Sequence, residues 1–248
     1  MEVHAHSHTE RKKWTHYLWE FLMLFLAVFC GYLAEYQLEH KIERDREKQF
    51  IRSLLNDVSA DTVKLNNLVN VRNQRENWLD SLTYVMNSQN PRSFPPADVY
   101  YYAIFIPRSI PLRFIPNDGT IQQLKSAGGL RLINKLNVKD SIIGYDIGVR
   151  NLTRIGEVEE TLINDYRGIA HYFFDGIVFD SMLDANNIPR RPKYAPQLYS
   201  FSDQNLHELN YKLFSIKAYN RASRRESKRL LQQAENLLTI LKKEYHLK

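Results

Sequence analysis

The stretch WTHYLWEFLMLFLAVFCGYLAEYQLEH, residues 14–40, limits what this chain can become more than any other part of it. Its centre, residues 21–34, is fourteen residues without a charge. Trp14, Tyr17, Trp19, Tyr32 and Tyr36 flank that centre, and Glu20 and Glu35 border it. A bilayer core about 30 Å thick needs roughly 20 helical residues, and fourteen rise only about 21 Å. Residues 17–38 supply twenty-two, enough if both glutamates sit at the interfaces, where Trp and Tyr are enriched. A soluble core helix would show a polar face, and residues 21–34 show none. A cleaved signal ends in small residues at −3 and −1, whereas Ala34 has Tyr32 at −3, and Cys30 follows Phe29. The stretch reads as one uncleaved transmembrane helix, with the lipid bilayer as its first partner.

The remainder has a different character. Over 248 residues the chain is 44% hydrophobic with mean hydropathy −0.46, so outside the span it reads as a soluble domain. About 210 residues follow the span, enough for a sizeable core. Cys30, the one cysteine, lies in the span, which excludes a disulfide framework or a cysteine metal site within one chain. The net charge of +6 comes from mixed signs at 25% charged residues. That balance suits proximity to anionic lipid and does not ask for nucleic acid.

Residues 1–13 form a polar tail in which His4, His6 and His8 alternate. An extended chain points all three imidazoles to one side, a geometry open to Zn²⁺, Ni²⁺ or Cu²⁺. No cysteine or acidic ligand set accompanies them, so no resident cofactor is expected. Arg11, Lys12 and Lys13 precede the span, and Lys41, Arg44, Arg46, Lys48 and Arg52 follow it. Counting positive charges alone would keep the large domain cytoplasmic, while a short basic tail resists export. The second argument is preferred. It gives a single pass in a bacterial inner membrane with the large domain periplasmic.

Residues 35–89 contain no glycine or proline. Apolar residues recur in steps of three and four at Ile51, Leu54, Leu55, Val58, Leu65, Leu68, Val69, Leu79, Leu82, Val85 and Met86, one buried helical stripe. A long helix over about 41–89 is therefore expected to continue the span, roughly 75 Å over about fifty residues. The nine prolines fall in two connections, 91–116 and 189–196. The first is aromatic, and Tyr100, Tyr101, Tyr102, Phe105 and Phe114 are candidates for an apolar pocket, although packing onto the bundle is the commoner use of such residues. A short helix begins near Thr120 and stops at Gly128–Gly129. Long helices follow over about 140–174 and 202–246, the latter capped by Ser202. Gly144 and Gly148 share a face of the former, which suits close approach of a neighbouring helix.

No phosphate loop, metalloprotease, nucleophile-elbow or kinase motif occurs. His171 reads as a satisfied helix residue, and Asp165, Asp175 and Asp180 lack a second catalytic set. The cluster Lys217, Arg221, Arg224, Arg225, Lys228 and Arg229 lacks the interleaved aromatics of a nucleic-acid site. A solvated face, or contact with phospholipid or an acidic partner, fits it better, and no catalytic residue is expected.

Residues 1–40, followed by REKQFIRSLLNDVSADT, resemble a family of uncharacterised single-span membrane proteins common among Bacteroidota. The likeness is clearest over residues 1–63 and fainter around FIPNDGTIQQLKSAGGLRLI. It implies the same topology and carries no activity.

The expectation is an all-α protein: an N-terminal transmembrane helix (14–40) continuing into an elongated antiparallel helical bundle (41–248). Its expected role is non-enzymatic, as an oligomeric structural component of a cell-envelope complex. A small-ligand sensor signalling through a partner, or an accessory subunit of a membrane enzyme, remains open beside it. At about 100° per residue from Glu20, Leu24, Ala27, Gly31 and Ala34 fall at about +40°, −20°, +20° and −40°. Small residues so spaced let transmembrane backbones approach. Glu20, Leu24, Ala27, Gly31 and Ala34 are thus the expected homo-oligomer seam, with Lys13 and His16 on the same face as possible ion partners of Glu20.

Overall fold

The structure is a computed structural model describing residues 14–88, 90–108, 112–126, 128–199 and 201–247. The candidate metal ligands His4, His6 and His8, and Lys13, lie outside the described residues. Six α-helices occur among those described: α1 Trp14–Met86, α2 Pro96–Ala103, α3 Gly119–Ser126, α4 Leu136–Ala170, α5 Gly176–Ser181 and α6 Asp203–Tyr245. No strand is present among the described residues, and the fold is all-α. One uninterrupted α1 takes up both the apolar stretch and the helix expected over 41–89. The later long helices appear as α4 and α6.

Local chemistry accounts for several of the ends. Ser202 accepts the amide of Asn205 at 3.3 Å and opens α6, relieving one of the helix's unpaired amides. Asp175 does the same for α5 through Ile177 N at 2.8 Å. After α3 the chain turns at Gly128 with φ +64, a left-handed position where a side chain would be strained. The start of α4 at Leu136 has no side-chain cap, since Lys135 supplies none.

The chain divides after Gln49 into two compact units. In the first, α1 is the only helix among the described residues that is long and apolar enough to cross a membrane, and none of its apolar window is buried. Phe21, Phe25 and Phe29 stack in sequence on one side of it, with centroids 6.4 and 5.8 Å apart.

In the second unit, α6 runs antiparallel to α4, since Lys135 reaches Glu244 at 3.0 Å and Lys212 reaches Asp165 at 3.6 Å. It also opposes the second half of α1, through Arg224 to Asn73 and Asn210 to Asn87, both 3.1 Å. The α1 and α4 helices therefore run parallel, and residues 87–135 return the chain to the end from which α4 starts. Two apolar cores result. One joins Leu79, Leu82 and Met86 of α1 to Tyr166 and Ile169 of α4 and Leu209, Leu213 and Ile216 of α6. The other joins Ile51, Leu54, Val58 and Leu65 to Ile142, Val149 and Leu152 and to Leu230, Leu237 and Leu241. Each such fully buried side chain contributes about 1.5–3 kcal/mol.

The close approach expected of the glycine pair occurs at one of them. A Cβ on Gly148 would lie 2.5 Å from Gln233 Oε1 and 2.9 Å from Leu230 Cδ1, so α6 packs against it. Gly144 corrects the expectation, because a Cβ there meets nothing within 4 Å. One helical turn from Gly148, it lies clear of the line of contact with α6.

Candidate functional site

Between the two apolar cores the stripe on each long helix turns polar. On α1, Arg72 and Arg75 stand where Leu68 and Leu79 set the spacing; Glu159 interrupts α4, and Asn220, Ser223 and Ser227 interrupt α6, all buried. The Arg72 guanidinium donates to Glu159 Oε1 at 3.2 Å and Oε2 at 2.9 Å, to Asn220 Oδ1 at 3.3 Å and to Leu112 O at 2.8 Å. Arg75 donates to Glu159 Oε1 at 2.6 Å and to Ile106 O at 2.8 Å. Asn220 returns a bond to Arg72 O at 3.1 Å. One carboxylate thus faces two guanidinium groups, each 1% exposed, and the Nε of both has no partner. The layer holds an uncompensated positive charge. Burial lowers Arg75 to about 10, with Arg72 adding to the shift and Glu159 opposing it.

A second polar anchor lies one layer away. Asp61, fully buried, accepts Asn117 N at 2.9 Å, Asn117 Nδ2 at 3.0 Å and Tyr145 Oη at 2.8 Å. It fastens the returning chain to α1 and α4 at once. Asp57 adds the Thr120 hydroxyl at 2.6 Å, holding the start of α3.

Two cavities flank the arginine layer. The larger, about 750 Å³, runs between residues 112–122 and the face of α4, with Asp61 and Arg72 among its lining. Its arginines, Arg72, Arg113, Arg150 and Arg154, are matched in number by Asp61, Asp118, Asp146 and Glu157. The smaller, about 380 Å³, is lined by Arg75, Trp78, Phe105 and Arg108 and by the 186–189 turn.

The aromatic pocket expected from Tyr100, Tyr101, Tyr102, Phe105 and Phe114 is not assembled. Tyr100 lies in the first core, with its hydroxyl between Asp175 N at 2.8 Å and Gln197 O at 3.0 Å. Tyr101 and Tyr102 pack against that core, whereas Phe114 packs against the second. Phe105 joins the three tyrosines on the first core, and of the five residues Phe105 reaches the smaller cavity and Phe114 the larger. The expected seam residues Leu24, Ala27, Gly31 and Ala34 are exposed on α1, and His16 Nε2 lies 3.2 Å from Glu20 Oε1. In the basic cluster, Lys217 pairs with Asp80, and Arg221 and Arg224 with Glu76, so α1 is its acidic partner. His171 closes α4 as an exposed residue against Tyr172. Among the described residues no group of three or more His, Cys, Asp or Glu is placed to hold a metal.

No protein-family model matches the chain, and no curated protein or solved structure matches it significantly.

Buried tyrosines give the second unit a signature in alkali. Burial raises Tyr145, reinforced by Asp61, and raises Tyr166, whose hydroxyl has no partner. A raised acid contributes fully below its unfolded pKa of 10 and loses that contribution as pH rises past it. Arg75 runs the other way above about 10, one group against two. Stability is therefore expected to fall above pH 10, with these two tyrosines ionising only as helix is lost. Tyrosinate absorbance followed beside circular dichroism checks this, and full ionisation with intact helix would contradict it.

Proposed function

We propose that this chain is a non-enzymatic, single-pass protein of a bacterial inner membrane, with its large helical unit periplasmic, acting as a self-associating component of a cell-envelope complex. The observation that carries the reading is the fully exposed apolar length of α1, which no other part of the first unit covers. Exposed apolar surface on this scale needs lipid or protein against it. Phe21, Phe25 and Phe29 lie at about 100–180° from Glu20, on the side away from Leu24, Ala27, Gly31 and Ala34. Bulky rings toward lipid and small residues toward a second copy is the division that favours close helix pairing. In detergent, the wild-type protein is expected to run as an oligomer by light scattering, and Gly31→Leu to weaken association about tenfold or more. An unchanged oligomer mass in Gly31→Leu would remove the seam.

A second reading, a ligand-binding module, is favoured by one observation: two cavities border a buried cationic layer. Thermal shift of the full chain against a metabolite library tests it, and a screen without any stabilising compound would count against it.

A further inference from the structure

The smaller cavity differs from the larger in its charge. Arg75 and Arg108 line it and no Asp or Glu does. Asp184, in the adjoining turn, is already engaged: its carboxylate accepts Asn186 N and Ile188 N, both at 2.9 Å, and Arg190 Nη2 at 3.1 Å. Arg75 is buried to 1% exposure, shares Glu159 with Arg72, and keeps an unpartnered Nε. A buried guanidinium with half a counter-charge and an idle donor costs stability unless something else supplies negative charge. Arg108 gives Asn187 O one bond at 2.8 Å, of the five N–H groups an arginine has. Beside the arginines, the Trp78 and Phe105 rings stack with centroids 3.7 Å apart and an interplanar angle of 12°. Both are only half-buried. A volume of about 380 Å³ falls within the range of small-molecule sites.

We propose that this pocket binds a small organic anion, a carboxylate carried on a flat apolar body. The carboxylate sits toward Arg108 and the Arg75 side of the buried layer, where it offsets the excess charge, and the body lies against Trp78 and Phe105. The larger cavity has no such preference, because its lining charges balance. The proposal rests on the ligand-binding reading and is independent of the seam along α1.

Trp78 is itself the reporter. The chain has three tryptophans, so Trp14→Phe with Trp19→Phe leaves Trp78 as the sole indole in the full-length, lipid-embedded protein. Phenylacetate is expected to change its emission saturably, with a dissociation constant of about 1 mM or tighter. Phenylacetamide, of the same shape without the charge, is expected to bind at least about tenfold more weakly, and 2-phenylethylamine more weakly still. Arg108→Gln is expected to weaken phenylacetate about tenfold with an unchanged helix spectrum; this half-buried position avoids the folding defect that Arg75→Gln risks. Equal binding of acid and amide overturns the anion assignment while sparing the pocket. An Arg108→Gln protein that binds phenylacetate like the parent overturns the geometry. No saturable response to any of the three probes overturns the site itself, and library hits acquired elsewhere would then keep the broader ligand-binding reading alive without it.

Discussion

Glu159→Gln is expected to destabilise the second unit by about 3–5 kcal/mol, the range for removing one side of a buried ion pair. The glutamine keeps the shape and can still accept hydrogen bonds. What it removes is the single negative charge between Arg72 and Arg75, whose nearest bonds to Glu159 are 2.9 and 2.6 Å. Two guanidinium groups would then share a buried layer with only neutral acceptors around them, the glutamine oxygen, the carbonyls of Leu112 and Ile106 and the amide of Asn220. Denaturant midpoints followed by Trp78 emission in the Trp14→Phe, Trp19→Phe protein measure the loss. A companion protein with Arg72→Met, Arg75→Met and Glu159→Leu separates charge from packing. Replacing a whole buried ionic cluster with apolar residues is often neutral or stabilising by about 1–4 kcal/mol, so the triple change is expected to recover what the single one lost. If Glu159→Gln costs less than about 1 kcal/mol, the arginines are compensated by some route other than Glu159.

Asp61→Ala is the second large effect, expected at about 3–5 kcal/mol from three stranded donors at about 1–3 kcal/mol each, partly relieved by water. Asn117 loses partners for its amide and its side chain, and Tyr145 loses the acceptor of its buried hydroxyl. The damage should be local as well as global. Residues 113–118 have no helix or strand of their own and are fastened to α1 through Asp61 and through Lys64, which donates to Ile115 O at 2.9 Å. Arg113 is already exposed; freed from α1, the backbone around it can extend into a protease site, and trypsin is expected to cut the variant there under conditions that leave this bond intact in the parent. A variant as stable and as protease-resistant as the parent would mean that the remaining contacts to α1, Lys64 to Ile115 O, Arg72 to Leu112 O and Asp57 to Thr120, hold the segment without Asp61.

The elements that announced themselves did so through chemistry local in sequence. Ser202 before an amphipathic run, Gly128 after one, and the absence of glycine or proline over residues 35–89 each act within a turn of where they stand. The start of α4 at Leu136 lies four residues before the expected Asp140, and no capping side chain marks it. The arginine layer does not show in the hydrophobic members of the stripe. The stripe on α1 jumps from Val69 to Leu79 and that on α6 from Ile216 to Leu230. Arg72 and Arg75 fill the first gap, and Asn220, Ser223 and Ser227 fill the second, at helical spacing. Matching gaps on separate helices were the available sign of a buried polar layer. The parallel course of α1 and α4, and the placing of Phe114 on a different core from Tyr100, Tyr101, Tyr102 and Phe105, are not readable, because they depend on residues far apart in the chain.

That distance has a consequence for how the protein is made. Arg72 meets Glu159 across 87 residues and Asn220 across 148. During synthesis α1 therefore emerges long before either helix that will cover it, and long-range closure of this kind is slow. An unbroken apolar stripe over residues 51–86 would spend that interval as an aggregation surface. Arg72 and Arg75 interrupt it with two charges in its middle, the gatekeeper arrangement that keeps exposed hydrophobic segments apart. The residues that strain the finished bundle thus protect the unfinished one.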